Sequence, residues 1–352
     1  MRCVLTSVTF VVSAKILALS MRHTAKRWSL FLLAFFVCVV ALVGQVPNDQ
    51  DDVIRTETDV TNLPFTATDQ QKRFITTLKL ADLRVLEDGV PQTVSTFQRE
   101  TDRALAIAFL IDVSQSQEST LSDQKAAVRE FIEEVFDSRK DQAALIPFTG
   151  QAFLEQEMSK DVLKVYRVLQ QIEIGYPAYQ GAGRPLPGIR TGPGLPAPPT
   201  EGRTAIYDSV GLTATEVLAK VKGLRRRAII LLTDGLNNET RIDKSEAIDR
   251  TLAAEAVIYA IGIGSRYGVD KGVLRELAER TGGRAFFPKK GADLNAAFEE
   301  IEQELRTQYL IAYSSTNRRR DGVYRRITVE ITNPDLQKQK LNIRHRPGYF
   351  AR

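Results

Sequence analysis

A chain of 352 residues with 43% hydrophobic content is long enough for two or three domains and a sizeable core. Its formal net charge is +5, but Arg2, Lys15, Arg22, Lys26 and Arg27 all lie in residues 1–44, which hold no acid, so the remainder is formally neutral. That distribution argues against a nucleic-acid partner. With Cys3 and Cys38 the only cysteines, disulfide and thiol chemistry beyond the leader are excluded.

Residues 1–44 read as a signal peptide or signal anchor. Met21 to Arg27 is a basic stretch and Trp28 to Val43 an uninterrupted apolar run. The run is slightly short for a membrane span, and Leu42-Val43-Gly44 is a mediocre cleavage site, so a cleaved leader and a membrane anchor both fit. Met1 and Met21 are alternative starts. The protein is expected to be exported, whether periplasmic, held in the cell envelope or secreted. Residues 45–52 are a polar linker.

From 53 to 100 the pattern is short and strand-like, with extended segments expected at 54–60, 63–66, 74–78, 83–89 and 92–97. Asp88-Gly89, with Pro91 just beyond, marks a turn. These strands are too few to close a sandwich alone. Leu105 to Ile111 is then a solid apolar run, the mark of a central strand covered on both faces. A helix follows, with Val128, Phe131, Ile132, Val135 and Phe136 on one face. Strands are expected at 143–148, 228–232 and 257–263, with helices at 162–172, 205–221, 245–254 and 273–280. Such alternation predicts an α/β fold with a doubly wound, mostly parallel sheet. Leu294, Phe298, Ile301 and Leu305 form a last amphipathic helix. Three further strands at 309–313, 324–331 and 341–344 are expected to join those of the N-terminal segment in one accessory β-sandwich. Residues 53–100 and 308–352 would then be its two parts, with 101–307 inserted between them.

Five oxygen-bearing residues stand out: Asp112, Ser114 and Ser116 in I-D-V-S-Q-S, Thr204 in G-R-T-A, and Asp234 in L-L-T-D-G. Open α/β sheets bind ligands outside the carboxyl ends of their strands. Asp112 and Asp234 each end a central strand, so both carboxylates should reach one edge. Two carboxylates and three hydroxyls suit a hard cation such as Mg²⁺, with Mn²⁺ as an alternative. The competing reading of Asp112, Ser114 and Ser116 alone is a helix cap.

D-x-S-x-S at 112–116, the isolated Thr204 and T-D-G at 233–235 resemble the metal-ion-dependent adhesion site of the von Willebrand factor A superfamily, over roughly residues 100–306. The resemblance implies that Ser114, Ser116 and Thr204 touch the metal directly, and that Asp112 and Asp234 do so directly or through water. It also implies that a partner protein's Asp or Glu carboxylate fills the open position. L-E-D-G-V-P-Q at 86–92, Q-Y-L-I-A-Y at 308–313 and R-P-G-Y at 346–349 resemble exported bacterial proteins that carry such a domain. The function implied is an adhesion or scaffold module.

Residues 173–203 hold seven prolines between Pro177 and Pro199, interleaved with glycines. This stretch excludes a helix or central strand and leads directly into Thr204. It reads either as a recognition loop carrying Tyr176, Tyr179, Arg184 and Arg190 or as a tolerated insertion. Arg225-Arg226-Arg227 and Arg318-Arg319-Arg320 are expected to be solvated faces, and Tyr309 and Tyr313 to be packing residues.

Catalysis has little to draw on. The two histidines, His23 and His345, are far in sequence from Ser114, which argues against a Ser-His-Asp hydrolase. Ser114 also stands where a phosphatase with an Asp112 nucleophile would want a second acid. Glu118 and Asp208 are the nearest candidates for a general base in metal-assisted hydrolysis. The sequence therefore favours a binding protein over an enzyme.

Overall fold

Alternating burial along β1 (Val60–Thr68) sends Leu63, Phe65 and Ala67 into an apolar interior. A computed structural model describes residues 60–100, 103–175, 184–185, 204–223, 226–237, 240–264, 268–289 and 291–351. The leader, the linker, residues 54–59 of the first expected strand and most of the Pro/Gly-rich stretch lie outside the described residues. Strands β2 (Leu83–Glu87), β3 (Val90–Pro91) and β4 (Val94–Arg99) follow β1. The β2–β3 turn has Asp88 and Gly89 both at positive φ, 49° and 82°, as a tight hairpin requires.

The expected strand at 74–78 does not form. Thr68 and Phe74 make a single bridge, and Leu80–Asp82 is a 3₁₀ turn. In place of a ladder, Tyr309 holds this segment from the far side of the chain. Its hydroxyl donates to Ile75 O at 3.1 Å and accepts from Leu78 N at 3.1 Å. Replacing Tyr309 with Phe leaves the Leu78 amide buried without its acceptor. The expected cost is about 1–3 kcal/mol by urea denaturation, with faster amide exchange at 75–78.

The inserted α/β unit begins with β5 (Leu105–Asp112), every residue of which is buried. It continues through α1 (Leu121–Val135), β6 (Gln142–Phe148), β7 (Phe153–Leu154), β8 (Gln156–Ser159), α2 (Val162–Gln171) and β9 (Arg184–Pro185). Next come α3 (Ile206–Leu212), extended by a π-helical turn over Thr213–Leu218, and β10 (Arg226–Thr233). The unit ends with α4 (Lys244–Ala253), β11 (Ala256–Gly262), α5 (Lys271–Thr281), β12 (Ala285–Phe286) and α6 (Gly291–Thr307). The sheet order is β12-β11-β10-β5-β6-β8, parallel except for the edge strand β8, which the alternation of strands and helices did not reveal. Successive side chains of β5 serve opposite cores. Ile107, Phe109 and Ile111 pack with α1, α2 and α6, and Ala106, Ala108 and Leu110 pack with α3, α4 and α5. That two-sided demand is why the strand reads as an unbroken apolar run.

After α6 the chain returns to β structure with β13 (Tyr309–Ser314), β14 (Tyr324–Ile331), the short helix α7 (Pro334–Lys338), β15 (Asn342–His345) and β16 (Gly348–Phe350). Two four-stranded sheets result, β15-β1-β13-β4 and β16-β14-β2-β3, and each draws on both ends of the chain. They enclose one core that includes Leu63, Phe65, Val85, Ile311 and Val329. Tyr309 and Tyr313 are fully buried within it, as expected for packing residues. The three flanking motifs meet at Glu87, which is 3% exposed. Its carboxyl accepts hydrogen bonds from Tyr313 Oη at 2.8 Å, from Tyr349 Oη at 3.0 Å and from Ser315. Burial, then Glu87 itself, pushes the Tyr313 phenol up, so it stays a donor.

The two arginine runs part company. Arg318, Arg319 and Arg320 are exposed, as expected. Arg226 and Arg227 instead turn inward: Arg226 donates to Leu305 O and to Arg103 O, and Arg227 to Ala254 O and Val221 O. Carbonyls at the start of the sheet need donors there, and the guanidinium groups supply them. Arg225 lies outside the described residues.

Candidate metal centre

Between β5 and β10 the winding of the sheet reverses. The chain runs outwards through β6 on one side and through β10, β11 and β12 on the other. The crevice at the carboxyl ends of these two strands is the topological switch point, where α/β sheets take their ligands. Asp112 ends β5 there, and Asp234 follows β10 directly.

Asp112 is fully buried. Its Oδ1 accepts from Ser114 N at 2.9 Å and its Oδ2 from Thr233 Oγ1 at 2.6 Å. Burial pushes the carboxyl up to about 6 against the pull of these hydrogen bonds, and neighbouring Asp234 adds to the rise. Ser114 lies in extended backbone before the 3₁₀ turn Gln115–Gln117, and its Oγ is 3.0 Å from Ser116 Oγ. The side chain of Ser114 caps no helix amide. Asp234 is 1% exposed. Its Oδ1 accepts from Leu236 N at 3.1 Å, and its Oδ2 is buried without a hydrogen-bond partner among the described residues. Gly235 follows at φ 80°, and a Cβ there would come within 2.9 Å of Asp270 O, so the glycine lets the loop turn tightly over α5.

Thr204 reaches the same place through backbone anchors. Ala205 N donates to Thr149 O at 2.8 Å and Ile206 N to Asn237 Oδ1 at 2.9 Å. Thr149 follows β6 and Asn237 follows β10, and β5 lies between them, so Thr204 is held over the end of the strand that carries Asp112. The Pro/Gly-rich stretch leaves from this edge too, since Gly175 N donates to Val113 O at 2.8 Å. The stretch therefore starts and returns beside the crevice, and Arg184–Pro185 pairs antiparallel with β7 on the way. Tyr176, Tyr179 and Arg190 lie outside the described residues.

The candidate donors at the crevice are all oxygen: two carboxyls, one with a buried atom that has no partner among the described residues, and three hydroxyls. Among the described residues no three His, Cys, Asp or Glu side chains cluster, so a cation here would need neutral oxygen ligands beside the two carboxyls. An orphaned carboxylate oxygen beside a second acid fits a hard divalent cation, which would satisfy the one and neutralise both.

Three positioning residues escaped the sequence reading. Thr233 orients Asp112, and its own Oγ1 also accepts from Gly235 N at 3.1 Å. Asn237 caps α3 after Thr204. Asp208, weighed above as a general base, is taken up by Arg241 N and Ile242 N at 3.0–3.1 Å and braces the loop after Asp234. A polar residue closing an apolar strand was the available signal for Thr233; Asn237 and Asp208 gave none. Glu118 is exposed and accepts from Gln115 Nε2 at 2.7 Å.

Residues 209–287 match the family model of the von Willebrand factor type A domain. Among solved structures the chain is similar to BatB from Bacteroides thetaiotaomicron, at 19% identity and TM-score 0.42, covering 57% of this chain and 98% of that one. It is also similar to proximal thread matrix protein 1 from the mussel byssus with a zinc-occupied MIDAS motif, at 19% identity and TM-score 0.47, covering 62% of this chain and 50% of the mussel protein. A von Willebrand factor type A protein from Catenulispora acidiphila is similar at 15% identity and TM-score 0.46, covering 72% of this chain and 51% of that one. This chain thus spans about half the length of the last two. No curated protein matches it by sequence.

Proposed function

We propose that the von Willebrand factor type A domain of this chain is an exported, divalent-metal-dependent protein-binding module. Ser114, Ser116 and Thr204 would hold Mg²⁺ or Mn²⁺ directly, with Asp112 and Asp234 doing so directly or through water. The observation that carries the reading is the buried, unpartnered Oδ2 of Asp234 beside the buried carboxyl of Asp112. Where the carboxyls act through water and the direct ligands are neutral hydroxyls, the cation stays electrophilic and an anionic ligand is favoured at the open position. An Asp or Glu side chain of a partner protein, desolvated there, would dominate the binding energy.

Binding is favoured over metal-assisted hydrolysis because Asp208 is engaged by two backbone amides, which removes one of the two nearby candidates for a base. The basic and apolar leader supports a place in the cell envelope or outside the cell, and membrane anchoring through that segment is part of the proposal. Among the described residues, which exclude the leader, no helix is long and apolar enough to cross a membrane.

Pull-down from cell-envelope extract tests the reading. A partner is expected to be retained in Mg²⁺, released by EDTA, and lost at least about tenfold with Thr204→Ala, in keeping with one lost metal ligand. Capture that is equal in Mg²⁺ and EDTA would show the metal to be irrelevant to adhesion. Turnover of a phosphoester or peptide substrate that Ser114→Ala abolishes would favour the hydrolase reading.

A further inference from the structure

At the opposite edge of the sheet, where β10 and β11 begin, lies a cavity of about 110 Å³ between the α/β unit and the sandwich. Four arginines from separate stretches line it: Arg103 before β5, Arg226 and Arg227 on β10, and Arg346 between β15 and β16. Only two carboxylates share the lining, and both are engaged. Glu100 pairs with Arg103 at 2.6 Å and accepts from Gln98 at 2.6 Å. Glu255 lies 3.6 Å from Arg227 and accepts from Asn62 at 2.6 Å. Among the described residues Arg226 and Arg346 make no ion pair with a carboxylate: Arg226 relies on main-chain carbonyls, and Arg346 reaches Asn62 O at 3.1 Å and lies over the Tyr349 ring. The Nε atoms of Arg226, Arg227 and Arg346 are buried with no acceptor among the described residues. Burial holds the guanidinium pKa down in both Arg226 and Arg346, against the pull of Glu100 on the one and of Tyr313 and Glu255 on the other.

Uncompensated buried charge is costly, and guanidinium groups pair best with planar or tetrahedral oxyanions. We propose that this cavity binds a small tetrahedral oxyanion, inorganic phosphate or sulfate or the phosphoryl end of a small ester, held by the four lining arginines with Arg346 chief among them. The volume is large enough to admit one such ion. Because its walls come from both Asn62 and Arg346 of the sandwich and Arg226 and Arg227 of the inserted unit, the bound ion would also tie the two together.

Calorimetric titration of the full protein, free of divalent metal and at constant ionic strength, tests this with sodium phosphate, sodium sulfate and glycerol phosphate. Saturable binding of at least one is expected, and the tightest identifies the source. Arg346→Gln is expected to weaken it at least about tenfold, the loss of one charge-assisted hydrogen bond. Arg103→Gln, on the more open side, provides the same test should the first variant fail to fold. Arg319→Gln, on the exposed run, should bind like wild type. No saturable heat, or equal binding in wild type and both cavity variants, would mean that the cavity holds water only and would overturn the proposal. Neither result depends on the metal centre at the other edge.

Discussion

Mg²⁺ added to the metal-free protein is expected to raise its Tm by about 5–10 °C, and to leave Asp112→Ala unmoved. A ligand present at 100 times its Kd adds about 2.7 kcal/mol to stability, and each kcal/mol is worth about 2–4 °C in a domain of this size. A second variant separates the metal from the fold. Asp112→Asn keeps an acceptor for Ser114 N, and its amide can donate to Thr233 Oγ1, but it removes a charge that burial and Asp234 both oppose. Without metal it should be at least as stable as wild type, because a buried charge next to Asp234 has been deleted. With metal it should gain little. Scanning calorimetry of both variants, with and without Mg²⁺ and Mn²⁺, gives the comparison. The same shift in wild type and Asp112→Ala would remove the metal centre from the account.

Glu87→Leu is expected to cost about 3–5 kcal/mol. The change leaves the fully buried Tyr313 hydroxyl without its acceptor, at about 1–3 kcal/mol, and takes one partner each from the half-buried Tyr349 and from Ser315, which keeps Asn317 O. Glu87→Gln should cost less, since one amide oxygen still accepts but cannot serve three donors. Tyr313→Phe removes one donor, about 1 kcal/mol. Combined with Glu87→Leu it should add less than its own effect, the sign of a shared interaction. Urea denaturation of the single and double variants measures this. Additive losses would show that the three flanking motifs meet at Glu87 without depending on it.

Much of the α/β unit was legible because its signals are local. Leu105–Ile111 and Ala228–Leu232 are apolar on both faces, so their burial appears in the sequence itself. The helices at 121–135 and 291–307 carry their stripes at helical spacing. The edge strand Gln156–Ser159 and the short elements Pro334–Lys338 and Gly348–Phe350 were missed, for they have too few residues to set up a period. The segment 74–78 has strand-like residues but no neighbour to pair with along its length. A tyrosine hydroxyl more than two hundred residues away fixes it instead. Arg226 and Arg227 read as solvated because charge usually is, and acceptors brought close by the fold, the carbonyls of Arg103, Leu305, Ala254 and Val221, draw them inwards.

The sequence by itself determined the layering of the inserted unit and the extra β structure at its two flanks, and it offered five candidate oxygen donors. Hydrophobic period and strand-end position are properties of short segments, and they survive reading in one dimension. Tertiary structure alone decided what those donors lack and what supports them: the orphaned Oδ2 of Asp234, the Thr233 hydroxyl on Asp112, and Asn237 anchoring the turn after Thr204. It also decided that flanking motifs from both ends of the chain close on Glu87 and that four arginines crowd one cavity. Such contacts join residues far apart in the chain. Their energies depend on burial and on unpaired polar atoms, which exist only once the chain has closed around them.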